Sequence, residues 1–393
     1  MSRFLPLRAN LEWLKKAAKD RLQQMQRDGS DARLHTAQLE LARDYGFANW
    51  AAMVQHVETV RAQLHQAFPV LRNAPFPAEE VAADDADLIK LLGAVRAGET
   101  TVVMQILQAR PALANVYGPA GLAPLHLAAQ CNDARLAIVL LAYQADPLAL
   151  IRGSGHDALS WAATCNAPDF ARALIRLAVP PDLFAAAGLG LLPEVQACFD
   201  DLGELLPQAS RTGSSRYAPD GSRLPCPPSR PVEQISDALA FAARNGHVEV
   251  VRFLLTRPID LAFRAFLGAT PLHWAVFSGC PATVALLRDA GADSALLDET
   301  LQCPAELFGI CAAASWGWLV KVKALLDAEP QLLRAGQGQT SALHEAAAGG
   351  HLAVVCDLLD RGADPDMRDR RGLTPRERAL EKGHTAVAAI FPV

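Results

Sequence analysis

Charge is scarce in this 393-residue chain. Asp, Glu, Lys and Arg make up 20% of it, against about 25% in an average soluble domain, and apolar residues make up 51%, so neither wholesale disorder nor a solvating acidic tail fits. Long uncharged runs are missing as well. The longest one free of proline is Leu307–Val320, short of the roughly 17–25 residues a membrane helix requires, and Arg3 and Arg8 bracket no apolar segment of the secretory kind. Eight cysteines without a dense cluster exclude a disulfide scaffold and point to a reducing cytoplasm. Motifs of chemistry are absent too: no CxxC pair and no G-x-S-x-G occur. Gly336-Gln337-Gly338-Gln339 lacks the third glycine and the preceding strand of a dinucleotide site and reads as a turn. Cys303 and Cys311 stand eight apart with no histidine partner, too little for zinc. No metal and no cofactor is expected.

What the chain does have is repetition. Thr270-Pro271-Leu272-His273-Trp274-Ala275, followed by Gly279 and then Gly291-Ala292-Asp293, realigns with Ser341-Ala342-Leu343-His344-Glu345-Ala346, Gly350 and Gly362-Ala363-Asp364. Ala123-Pro124-Leu125-His126 is a third copy. With the leucine as anchor, further units fall at Leu91, Leu159, Leu183, Leu239, Ile310 and Arg376, nine in all. The pattern resembles the ankyrin repeat, whose signature is T-P-L-H-x-A on a period of about 33 residues.

Each unit then offers a short inner helix and an outer helix, neither of which can bury its apolar stripe alone. Stacking buries both. Fifteen positions past the anchor an apolar residue returns at Leu140, Leu174, Leu254, Leu287, Leu325 and Leu358. Thr270, Ser341 and Thr374 are placed to cap inner helices, with Asp157 and Asp237 in the same slot. Gly246, Gly279, Gly350 and Gly383 are placed to end them. The recurring histidines His126, His273 and His344 are expected to bond backbone within and between repeats, as the resemblance implies, rather than to hold a metal. Cys131 and Cys165 occupy equivalent positions on neighbouring units, about 8–10 Å apart, too far for a disulfide.

The fold class expected is all-α: an ankyrin-repeat solenoid of about nine helix-turn-helix repeats behind an N-terminal three-helix cap domain. Residues 1–72 form the cap. Its helices run along Leu11, Leu14, Ala18, Leu22 and Met25, along His35–Tyr45, and along Trp50, Met53, Val57, Val60 and Leu64. The Gly-Phe turn followed by Trp50 resembles the leader ahead of some bacterial ankyrin proteins. A linker at 73–85 holds Pro75 and Pro77, just after Pro69, and its acids Glu79, Glu80, Asp84 and Asp85, with Asp87 beyond it, suit a helix N-terminus. Repeats 1–4 occupy 86–206 and repeats 5–9 occupy 235–393. Between them, 207–234 is an insertion rich in Pro, Ser and Arg that stretches one spacing to 56 residues. Arg211, Arg216, Arg223 and Arg230 against Asp220 give its 207–231 stretch a charge of 4 − 1 = +3, while Tyr217 and the turn Pro219-Asp220-Gly221 favour local structure.

Two functional readings follow. In the first, the concave groove and finger loops bind a protein or peptide partner. In the second, an unusual enzyme or small-molecule receptor closes the 207–231 arm over an aromatic groove holding an anionic ligand. Positions two, five and six past each anchor face the groove in ankyrin-like packing. They supply Trp161, Phe241, Arg244, Trp274, Phe277, Trp316 and Glu345, with Trp318 extending the patch and Arg211, Arg216, Tyr217 and Arg223 contributed by the arm. Large aromatics beside arginine are typical of binding hot spots. Catalytic residues are not assigned. Nucleic acid is disfavoured although residues 1–72 carry 11 − 7 = +4 and residues 73–393 carry 26 − 35 = −9, because the third cap helix offers only Arg61 to a duplex. No membrane partner is expected.

Overall fold

The structure, a computed structural model, describes residues 11–29, 32–44, 47–55 and 85–391 apart from 178, 219 and 221. The expectations for Arg3, Arg8, Arg61, Val57, Val60, Leu64, the prolines at 69, 75, 77 and 219, Gly221 and the acids Glu79, Glu80 and Asp84 fall outside these residues. The chain sorts into two compact units, Met1–Gly213 and Ser214–Val393. Among the described residues no strand forms, and pairing is limited to isolated bridges such as Tyr217 with Arg223.

In the first unit, helices Leu11–Arg27 and Leu34–Asp44 and a helical turn at 50–55 meet through Leu14, Ala18, Leu41, Ala42 and Met53. Arg21 bridges their rims to Glu40 and Asp44. Four helix pairs then follow: Ala86–Ala97 with Thr100–Ala109, Pro124–Gln130 with Ala134–Ala142, Ala158–Cys165 with Pro168–Arg176, and Leu183–Gly188 with Leu192–Gln196. The second unit holds five more: Pro231–Arg244 with Val248–Leu254, Pro271–Ser278 with Pro281–Asp289, Ala305–Ser315 with Leu319–Ala328, Ala342–Ala348 with Leu352–Asp360, and Pro375–Glu381 with Thr385–Ala388. All nine anchors lie on inner helices. These helices are sandwiched between neighbours, so they are buried on nearly every side, as Ala312, Ala313 and Ala314 show at 0% exposure. Small side chains suit that place, because they let the stacked backbones approach.

Helix ends follow from capping chemistry. Asp85 accepts hydrogen bonds from the N–H groups of Asp87 and Leu88 and pairs with Arg110 at 3.0 Å, so its neighbours' amides and the guanidinium hold the carboxyl below its usual range. Asp157 caps its helix through Ser160 N–H. Asp237 does not cap. The inner helix of repeat 5 starts at Pro231, inside the span assigned to the insertion, which leaves Asp237 in the helix interior. Proline at the first helical position removes a donor that would be unsatisfied there, and this is why the helix begins so early. In repeat 4 the cap is Asp182, so Phe184 rather than Leu183 takes the anchor slot. Both side chains are buried, and an apolar pattern cannot choose between them. Gly279 and Asn166 close inner helices in the left-handed conformation, φ 75° and 54°, which glycine and asparagine adopt at least cost.

The three recurring histidines are ties between repeats. Each Nδ1 accepts from its own helix cap, and each Nε2–H donates to a carbonyl of the next finger: His126 to Ala149 at 2.9 Å, His273 to Cys303 at 3.3 Å, His344 to Leu373 at 3.0 Å. Burial lowers all three below the ordinary imidazole value, His126 to about 4. They are therefore neutral donors near pH 7, committed to structure. All eight cysteines are free thiols.

Candidate partner-binding surface of the second unit

The described residues of 214–224 begin the second unit as a small folded finger. Ser214 donates through its N–H and its hydroxyl to the buried carboxylate of Asp237. The chain then doubles back: Ala218 N–H donates to Ser222 O and Leu224 N–H to Arg216 O, with Tyr217 and Arg223 facing across the turn. Arg216 lays its guanidinium 5.0 Å from the Phe263 ring centroid and donates to Pro225 O at 3.1 Å. The folded finger thus leans on the 260–268 finger that joins repeats 5 and 6. A cleft of about 450 Å³ lies between the two and extends to Glu299 and Thr300.

Along the inner-helix face an unbroken run of rings leads from the finger between repeats 5 and 6 to the turn that follows the inner helix of repeat 7. Phe266 stacks on Trp274 at 6.2 Å, Trp274 on Trp316 at 6.3 Å, and Trp316 meets Trp318 at 4.7 Å. Phe277 and Phe308 pack edge-on against Trp274. Ring pairs of this geometry are each worth about 0.5–1.5 kcal/mol beyond their burial. The middle of the run is core, with Trp274 2% exposed, whereas its two ends emerge, Phe266 at 39% and Trp318 at 44%. Arg244 hangs over Phe241, Trp274 and Phe277 at 5.6–5.9 Å, and Lys321 sits 5.4 Å above Phe277 while donating to Ser278 O. Burial lowers the Lys321 ammonium below its usual value, and the like charge of Arg244 adds to this.

Family models described as ankyrin repeats match residues 120–151, 232–298 and 325–379, which are stretches of the same helix pairs. The chain is an ankyrin-repeat protein. Its all-α solenoid fold follows from that and from the helix pairs above. Among similar proteins, the ankyrin repeat and KH domain-containing protein mask-1 of Caenorhabditis elegans is 32% identical over 152 residues, 38% of this chain and 6% of that protein. Palmitoyltransferase ZDHHC13 of Mus musculus is 27% identical over 186 residues, 38% of this chain and 29% of that enzyme. The probable E3 ubiquitin-protein ligase XBOS32 of rice is 36% identical over 94 residues, 23% and 19% of the two chains. This ankyrin-repeat protein thus spans less than a third of the length of each. These relatives are eukaryotic and lend no support to the bacterial origin that the leader segment suggests.

The ankyrin stack brings together Phe241, Arg244, Trp274, Phe277, Trp316 and Trp318, but not as the open aromatic face expected. Phe241, Trp274 and Phe277 are 2–7% exposed, because adjacent inner helices press these rings between them. Glu345 stands elsewhere: buried, it accepts from the Thr340 hydroxyl at 2.6 Å and pairs with Arg378 at 3.3 Å, and burial raises its carboxyl. Trp161 belongs to the first unit, half-buried beside His156 at 5.7 Å. Arg211, also there, is committed to Pro180 O at 2.7 Å and Asp157 at 3.4 Å. Tyr217 and Arg223 are exposed on the folded finger. Spacing missed Phe266, Phe308 and Lys321. Phe308 and Lys321 lie outside the inner-helix positions counted from the anchor, and Phe266 sits in a finger, where the helical period gives no signal. Among the described residues no three His, Cys, Asp or Glu groups converge as a metal site would require, and no helix is long and apolar enough to cross a membrane.

Proposed function

We propose that this protein binds a protein or peptide segment along the inner-helix face and fingers of repeats 5–7, with Trp318, Trp316 and Phe266 as the principal contacts. Ankyrin repeats generally mediate protein–protein interaction. The observation that carries the reading is the ring run that emerges at both ends beside Arg244 and Lys321. An exposed tryptophan backed by a rigid aromatic core presents a large contact area at little entropic cost, the usual make-up of a hot spot. A reducing, cytoplasmic setting suits eight free thiols, Cys131 among them exposed.

The alternative, a receptor closed by the arm over an anion, draws support from the cleft under the folded finger. It is weakened because Arg211 and Arg216 are engaged by carbonyls and a ring, although the buried Nε of Arg216 has no hydrogen-bond partner. The test compares affinity capture of native partners by the full chain with capture by Trp318→Ala and Phe266→Ala. Both variants should lose the same protein partner while their melting curves stay within a few degrees of the wild type. Unchanged capture by both would remove the surface from consideration.

A further inference from the structure

We infer that the cleft between the 214–224 finger and the 260–268 finger is a separate subsite for a basic side chain, Lys or Arg, of a partner segment. Its size, about 450 Å³, is within the range of pockets that take small ligands, and it is ample for one long side chain. Its walls are apolar at Leu224, Phe266 and Leu267. Phe266 is at once a cleft wall and the first ring of the aromatic run, so a segment lying on that run reaches the cleft without a break.

Charge decides the occupant. Five charged residues line the cleft, and most are already used. Arg264 donates to Gly268 O at 3.1 Å and Leu297 O at 2.6 Å, as a strut between fingers. Arg216 is held by the Phe263 ring and Pro225 O. Glu233 is paired with Arg230 at 2.6 Å. Asp260 caps its own turn through Ala262 N–H but stays exposed. Glu299 is exposed and makes no ion pair among the described residues. With the arginine donors turned to carbonyls and a ring, the side-chain acceptors that remain open to a newcomer are the exposed carboxylates of Asp260 and Glu299, above an apolar wall. A lysine or arginine answers both features, because its methylene stem lies on apolar surface while its head stays at the wet rim.

The test titrates the full chain, carrying carbon-13 at leucine methyls, with the acetylated amides of arginine, lysine, norleucine and glutamic acid, while the methyls of Leu224 and Leu267 are followed by NMR. Both basic amides should give saturable shifts there, with norleucine amide about fivefold weaker, the scale of one rim-exposed ion pair. Glu299→Gln should weaken the basic amides by a similar factor, and Glu299→Lys should turn the preference toward the glutamic acid amide. Trp318→Ala should leave the titration unchanged, so that the subsite and the groove succeed or fail independently. No saturable shift with either basic amide, an equal response to norleucine, or a wild-type preference for the acidic amide would each overturn the inference.

Discussion

Removing the carboxylate of Asp182 should release the Arg211–Thr212 segment within the first unit. Its Oδ1 accepts the Ala185 N–H at 2.9 Å as a helix cap, while Oδ2 accepts the N–H groups of Arg211 and Thr212 at 2.8 and 2.6 Å and the Thr212 hydroxyl at 2.9 Å. The residue is 1% exposed. A hydrogen bond to a charged acceptor contributes about 1.5–3 kcal/mol net and a cap about 1 kcal/mol. Such terms do not add within one network, and water will reach some of the orphaned donors, so Asp182→Ala should cost about 4 kcal/mol in all. Asp182→Asn keeps the cap but turns an amide toward two N–H donors, and it should be nearly as costly. Hydrogen exchange is the suitable assay, because stability in a repeat stack is local. Openings at Arg211 and Thr212 that become about 3 kcal/mol easier correspond to exchange on the order of 100-fold faster, with trypsin cleavage at Arg211 accelerating in parallel. Amides of repeat 2, which the His126 tie holds, should keep their wild-type rates. Exchange at 211–212 within threefold of wild type in Asp182→Ala, with an unshifted melt, would refute the anchoring role.

Two further outcomes follow from burial. Trp274→Ala should destabilise the second unit by about 3–5 kcal/mol, since the ring is 2% exposed and packed on four others; urea titration with Trp318→Ala beside it, expected to lose only about 1–2 kcal/mol for its ring contacts with Trp316 and Phe277, checks this. Acidification should also weaken the fold. The His126 imidazole has its value lowered from 6.5 to about 4 by burial, so its contribution is complete above pH 6.5 and is lost as pH falls toward 4, at most about 3 kcal/mol. Glu345 works in the opposite sense, its raised carboxyl favouring the fold as pH falls. Denaturation at pH 7 and pH 5 should show a net loss on acidification that is smaller in His126→Gln; an equal loss in both proteins would assign the acid sensitivity elsewhere.

Periodicity made the fold readable, because a helix that must pack on two neighbours repeats its small and apolar residues at fixed intervals. Thr270-Pro271-Leu272-His273 carries the N-cap position, first turn, core and tie in four positions, with the Thr270 hydroxyl donating to His273 Nδ1 and His273 reaching the next finger. The surface was less readable. The spacing that puts Trp274 on the inner-helix face also puts Trp316 above it, and sequence distance alone does not reveal that one ring covers the other. Asp237 shows a second limit: identical in type and slot to Asp157, it became a helix-interior acceptor because Pro231 started the helix early. Asp182 was overlooked because its repeat departs from the anchor spacing, yet its carboxylate accepts four hydrogen bonds.

Asp237 also makes the finger ahead of its helix replaceable. Within the second unit, Ser214 is fixed to Asp237 and the helix starts at Pro231, so both ends of the finger are set by the same helix. Loop closure costs only about 0.6 kcal/mol for each doubling of length. A different turn, longer or with another charge, is therefore compatible with the same repeats, and this stretch is where variation in binding preference is cheapest to accumulate.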